Sequence, residues 1–304
     1  MSQVRQDFIE RISIFKSSLN TPNTLDQQLN NVDHNNIAKL LRNGLAVVGF
    51  VALEDFIKNR TYEVLCEIAS SQISFNNLTD ELKKRTIVVA LESIYANLKF
   101  QDDKISYVQS EAKIIASSLL TNYQLNKHAF GYKSFNMNDE EVSSILKAFY
   151  VKRPWQEQTL LSSHIGLTTL DLTTSFKNAM NRRHSAAHDV SCVIPTGDLV
   201  YYVKEAIAIA LTFDALLVSA KNKLINDNYN FINNKIGTVW SEINLSRIQK
   251  QGNKWKYKRD SSRRALKTNS NLELLINDSV PIALANHECL LVYNEMNEIV
   301  AWYI

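Results

Sequence analysis

Residues 181 to 189 read NRRHSAAHD and set two arginines and two histidines within one or two helical turns, in a chain with only six histidines. Histidine, with an ordinary pKa near 6.5, moves a proton at neutral pH. Arginine offers a planar fork of donors that suits a phosphate and the charge that develops on it. On an ideal helix at about 100° per residue, Arg183 and His188 stand about 140° apart, so both can edge one groove without touching. Spacing alone does not decide the matter. With twelve arginines and six histidines, an arginine followed at this distance by a histidine arises by accident roughly once in one or two such chains. Arg182 fits the spacing as well. The competing reading is a set of helix-end cations, favoured by the free carbonyls and the helix dipole. His184 and His188 are also spaced i, i+4, as metal-binding helices require, but no glutamate lies between them and no third ligand is evident. Neither a metal nor another cofactor is expected.

The elements that must position these residues are mostly helices. The chain has 304 residues, 45% of them apolar, but only seven glycines and four prolines, a balance that favours long helices and at least one substantial core. Apolar residues Ile37, Leu40, Leu41, Leu45, Val48, Ala52, Phe56 and Val64 predict one long, largely buried helix over 35–70. Further helices are expected over 80–98, capped by Thr79, over 106–123, and over 139–149, where NDEE supplies a cap and first-turn acids. Arg153-Pro154 interrupts the pattern. The motif helix is expected from about Thr169 to Asp189, ending because VSCVIPTGD is β-branched and holds Pro195 and Gly197. A last long helix is expected over 199–225, with Thr196 or Asp198 as its cap. The opening MSQVRQDFIERISIF has acids among its apolar residues, as an amphipathic helix does and a signal peptide does not. The run GLAVVGFVAL is about half the roughly 20 residues needed to cross a bilayer. Cys66, Cys192 and Cys289 form no C-x-x-C pair, which fits reduced thiols in a cytoplasm.

From about residue 236 the character changes. IGTVW, KWKYKR, LELLI, CLLVY and EIVAWYI are short and β-rich and are separated by turn signals, so a small β-rich domain is expected over 236–304. It follows an N-terminal helix and loop over 1–34 and a helical domain over 35–235. The net charge of +3 is too mild to mark a nucleic-acid binder. Locally, residues 247–267 carry nine Lys or Arg against the single acid Asp260, with Trp255 and Tyr257 interleaved. Lys254, Lys256, Lys258, Arg259, Arg263 and Arg264 are the candidate contacts to a phosphate backbone, with the aromatics stacking on bases. Strand alternation leaves a second reading open, with Trp255 and Tyr257 as core beneath a solvated basic face.

The motif resembles the signature of HEPN-fold ribonucleases, in which arginine is followed by Asn, His or Asp, then usually by three residues ending in alanine, then by histidine. Arg183, His184, Ala187 and His188 match position by position. LLRNGLAVVGFVALEDFI, residues 40–57, looks like the long first helix of the RiboL-PSP branch. FNMNDEEVSSILKAFYV is similar to the short helix that precedes the motif helix there. The resemblance covers about residues 35 to 225. It implies a HEPN-like helical bundle, a homodimer whose motif helices face one another, and metal-independent cleavage of RNA, tRNA or mRNA. In that chemistry the 2′-OH of the RNA is the nucleophile, and the enzyme supplies a base and charge stabilisation. His188 would be the base and Arg183 the phosphate stabiliser, with His184 assisting, Arg182 as a neighbouring phosphate contact or a solvated cation, and Glu54 as a polar residue of the first helix near the groove. Such families commonly act as toxins or in defence against phage, with an antitoxin or defence-system partner. In the branch silenced by nucleotidyltransfer, a tyrosine follows the histidine after one residue. Here Asp189 and Val190 follow, so that silencing is not expected. The other class of function left open is a non-catalytic HEPN-like RNA-binding or interaction scaffold.

Overall fold

Ser2 accepts a hydrogen bond from the Arg5 amide and starts α1 (Gln3–Ser18), which lays Phe8, Ile12 and Phe15 into the interior. In this computed structural model, residues 2–130, 137–167, 171–226 and 228–304 are described. The long helix α2 (Val32–Ala69) forms as expected and buries Ala52, Phe56 and Val64 as expected, but the phase of its first half is not the expected one. Ile37, Leu40, Leu41 and Val48 are exposed at 55%, 71%, 41% and 63%, and the buried line runs instead through Arg42, Ala46, Gly49, Phe50, Leu53 and Ile57. Close packing explains the rotation, because the tightest helix contact selects small residues over apolar ones. A Cβ at Gly49 would lie 2.7 Å from the Phe15 ring and 2.9 Å from that of Tyr202.

Thr79 caps α3 (Asp80–Lys84), which passes through a π-helical turn, Arg85–Val89, into α4 (Ala90–Asn97). The helix α5 (Lys104–Ala116) stops short of the expected residue 123. Asn138 and Glu141 make a capping box for α6 (Asp139–Ala148), as the NDEE signal implies. Phe135 and Asn136 of the family-like segment lie outside the described residues. Pro154 does not interrupt a helix but begins one. It occupies the first turn of α7 (Pro154–Ile165), where a missing N–H costs nothing. Asp171 caps the motif helix α8 (Leu172–His188), and the expected start at Thr169 lies outside the described residues. The buried α9 (Thr196–Asn226) and short α10 (Asn228–Asn233) complete the helical part.

The C-terminal part is a mixed sheet of β1 (Asn244–Gln251), β2 (Lys254–Arg259), β3 (Lys267–Asn269), β4 (Glu288–Tyr293) and β5 (Ile299–Tyr303), in the order β3-β2-β1-β4-β5. β1 runs parallel to β4 and antiparallel to β2, and the crossover to β4 carries α11 (Leu272–Ala285). LELLI is therefore helix, not strand. Asn271 caps it, and Leu275, Ser279 and Ala283 are buried at steps of four; a five-residue apolar run is too short for periodicity to separate the two. IGTVW forms no strand either, and a 3-10 turn begins at Trp240. One face of the sheet, with Ile248, Trp255, Tyr257, Leu290 and Val292, packs under α11. The other, with Leu245, Cys289, Leu291, Tyr293 and Trp302, joins the core of the helices.

One polar group locks this joint. The Asp214 carboxylate of α9, fully buried, accepts from Arg5 Nε at 2.7 Å, Arg60 Nε at 2.8 Å and Trp302 Nε1 at 2.8 Å. Burial alone would raise its pKa, but the two guanidinium groups and the indole hold it well below the usual carboxylate range. Among the described residues no helix is long and apolar enough to cross a membrane.

Candidate active site

The end of α8 is held between α2 and α9, and the sequence before and after it explains how. Lys39 Nζ donates to the Ser191 carbonyl at 3.1 Å, Asn43 Nδ2 to that of Cys192 at 2.8 Å, and the buried Arg42 Nε to that of Ile194 at 3.0 Å. On the other side, the Tyr202 hydroxyl of α9 donates to the Gly49 carbonyl of α2 at 2.6 Å. Asp189 ends the helix and receives the amide and hydroxyl of Ser191 at 2.8 and 2.6 Å. These hydrogen bonds turn the chain back sharply after His188.

Successive residues of the motif therefore face different ways. Arg182 turns to α9 and pairs with Glu205 at 3.2 Å, both side chains mostly covered, so its charge is already answered. Arg183 turns towards α2. It is half-buried, and its Nε is covered yet has no hydrogen-bond partner among the described residues. Glu54, only 4% exposed, supplies an acid near it and accepts a hydrogen bond from the Met137 amide. Burial raises the Glu54 pKa above the ordinary carboxyl value, against the opposing pull of that amide, Lys58 and Arg183. His184 and His188 are exposed, and their rings meet with centroids 4.7 Å apart at 51°. No described residue hydrogen-bonds either imidazole. Among the described residues, no three His, Cys, Asp or Glu side chains converge to hold a metal ion.

The outward residues of α2 form an exposed apolar row, Ile37, Leu41, Val48 and Val51. Sequence periodicity had counted the first three as core. Glu205, Asn43 and the Met137 amide were not legible as partners of the site, since nothing in their local patterns marks them.

The second candidate is resolved in part. Trp255 and Tyr257 are 5% and 0% exposed beneath α11, so they are core and cannot stack on bases. Lys254, Lys256 and Lys258 lie on the opposite face of β2, with Lys254 exposed and the other two half-buried. Arg259 is committed to the buried carboxylate of Glu288, which also receives the Tyr257 hydroxyl at 2.9 Å. Arg263 and Arg264 are exposed in the following loop. Of the remaining histidines, His34 contacts the Leu25 carbonyl at 3.0 Å, His128 contacts the Tyr107 hydroxyl at 3.2 Å, His164 stands 3.8 Å from Asp260, and His287 occupies a left-handed turn.

No family model matches the chain, and no curated protein and no solved structure is similar to it.

Proposed function

We propose that the chain is a metal-independent endoribonuclease of HEPN type, working as a homodimer. The observation that carries this reading is Arg183, a guanidinium held beside a buried acid with a covered Nε donor that no described residue answers, one and a half turns from an exposed histidine. A donor without a partner is costly unless a ligand answers it, and a phosphate oxygen does so with charge assistance. In the proposed reaction, His188 takes the proton of the RNA 2′-OH. The 2′-oxygen then bonds to phosphorus, the bond to the 5′-oxygen breaks, and that oxygen takes a proton from solvent. The products are a 2′,3′-cyclic phosphate and a 5′-OH. Arg183 stabilises the charge on the phosphoryl oxygens, and His184, in ring contact with His188, assists in placing it.

The exposed apolar row of α2 supports a dimer, since a second copy laid on it would take that surface out of water. Lys254, Lys256, Lys258, Arg263 and Arg264 are the proposed contacts to the RNA backbone, tRNA or mRNA. Arg182 and Arg259, both paired within the chain, are not. The cellular role that goes with this activity is that of a cytoplasmic toxin or anti-phage effector restrained by a partner. One observation favours the non-catalytic scaffold: among the described residues, none orients either imidazole by a hydrogen bond. Sequencing RNA ends after induced expression tests the choice. Cyclic-phosphate ends that disappear with His188→Ala support the nuclease, and unchanged RNA supports the scaffold.

A further inference from the structure

The two edges of the sheet are built differently. β3, at one edge, is three polar residues, Lys-Thr-Asn, and a short edge that carries lysine discourages pairing with another chain. β5, at the other edge, reads Ile-Val-Ala-Trp-Tyr, with no charge and no proline to guard it. Its inner side pairs with β4, and a bulge at Val300 leaves residues 301–303 as the regular stretch. Every second residue of an edge strand turns its N–H and C=O away from its one neighbour. Among the described residues, no element besides β4 hydrogen-bonds the backbone of Ala301, Trp302 or Tyr303. A groove of about 390 Å³ runs along this same stretch, between it and α1. The α1 wall carries Gln6, Ile9, Glu10, Ser13 and Ile14. Ile14 is 59% exposed, and Glu10 is exposed with no ion pair among the described residues.

Unpaired backbone groups call for a strand, and the groove beside them calls for side chains on one face of it. We propose that the β5 edge binds an extended peptide of a partner protein, which adds a strand beside β5, lays apolar side chains on Ile9 and Ile14, and presents Lys or Arg to Glu10. A second copy of the chain fits less well, because nine residues form the groove, where a stable interface uses about 20–30 a side. The proposal does not rest on the nuclease reading, because binding alone tests it. Fluorescence anisotropy of the full chain with a labelled peptide, Lys-Val-Thr-Val-Thr-Val-Lys, is the experiment. Two further peptides, N-methylated at the valine amides or at the threonine amides, keep the side chains and remove one set of backbone donors. One of the two should bind at least about tenfold more weakly than the parent. Ile14→Asp, at an exposed position, should weaken binding by a similar factor, and Glu10→Lys should turn the preference from lysine-ended to glutamate-ended peptide. No binding of the parent peptide at about 1 mM, equal binding by both methylated forms, or binding unchanged in Ile14→Asp overturns the proposal. So does self-association of a Val48→Asp variant that Ile14→Asp abolishes, which would assign the edge to a second copy.

Discussion

Glu54 on α2 and Arg183 on α8 act on each other electrostatically, and the acid is almost fully buried while the guanidinium keeps a covered Nε donor that no described residue answers. This pairing sets what the site costs the fold and what it can offer a phosphate.

Glu54 should make the folded chain less stable as pH rises. Burial raises its folded-state pKa above the ordinary carboxyl value of 4.5, so the folded chain keeps a proton that the unfolded chain has already lost. Stability attributable to this group therefore falls as pH climbs from about 4.5 to the folded value and stays lower above it. Glu54→Gln removes the titration while keeping the side chain's size. Urea unfolding between pH 5 and 8 should show the variant gaining on the wild type as pH rises; a constant difference across that range would contradict the assignment.

Asp214 should behave in the opposite sense. Its folded-state pKa is depressed, so its contribution is present above the ordinary value of 3.8 and lost as pH falls below it. Asp214→Asn leaves Arg5 and Arg60, each about 3% exposed, without their buried counter-charge. Breaking a buried pair in this way costs about 3–5 kcal/mol. Denaturant melts at pH 7 measure it, and a loss below about 1 kcal/mol would show that the hub is not what joins α1, α2, α9 and β5.

The two neighbouring arginines should separate cleanly. Arg182→Ala breaks the partly covered pair with Glu205, so a loss of about 1 kcal/mol in stability is expected with cleavage falling less than tenfold. Arg183→Ala should leave stability within about 0.5 kcal/mol of wild type and lower cleavage at least about a hundredfold, as removal of one charge-stabilising donor does. Equal effects on cleavage would contradict the division of roles.

The apolar row on α2 should be an interface between copies. Val48 is 63% exposed in the single chain, so Val48→Asp should not disturb the monomer. A mass measurement in solution should show a dimer for the wild type and a monomer for the variant, with cleavage lost in parallel. A monomeric wild type at tens of micromolar protein, on the order of the affinity of a weak dimer, would contradict the proposed dimer.

Several helices were legible because caps and breaks are local: Thr79 and Asn138 each cap the element that follows. The phase of the first half of α2 was not. Apolar type cannot tell a core residue from an interface residue, and the true contact line uses Gly49 and Ala46, which carry little hydrophobic signal. The helical pattern does break ahead of Pro154, but α7 was not read from it because proline both ends and begins helices, and LELLI was misleading because a short apolar run fits either period. Within the site, Arg183, His184 and His188 were visible as a spaced motif. Glu54 was expected near them only through the family resemblance, while Glu205, the Met137 amide and, away from the site, the Asp214 hub, which joins residues 209 apart, had no local signal.

The most direct measurement is cleavage of an RNA in EDTA by the wild type, by His188→Ala and by Arg183→Ala, using a second RNA with a single 2′-deoxy substitution at the mapped cut. The expected result is cleavage by the wild type alone, a 2′,3′-cyclic phosphate at the new end, and no cut at the deoxy position. Full cleavage by either variant, or by the wild type at the deoxy position, would contradict a site in which His188 activates the 2′-OH and Arg183 holds the phosphate.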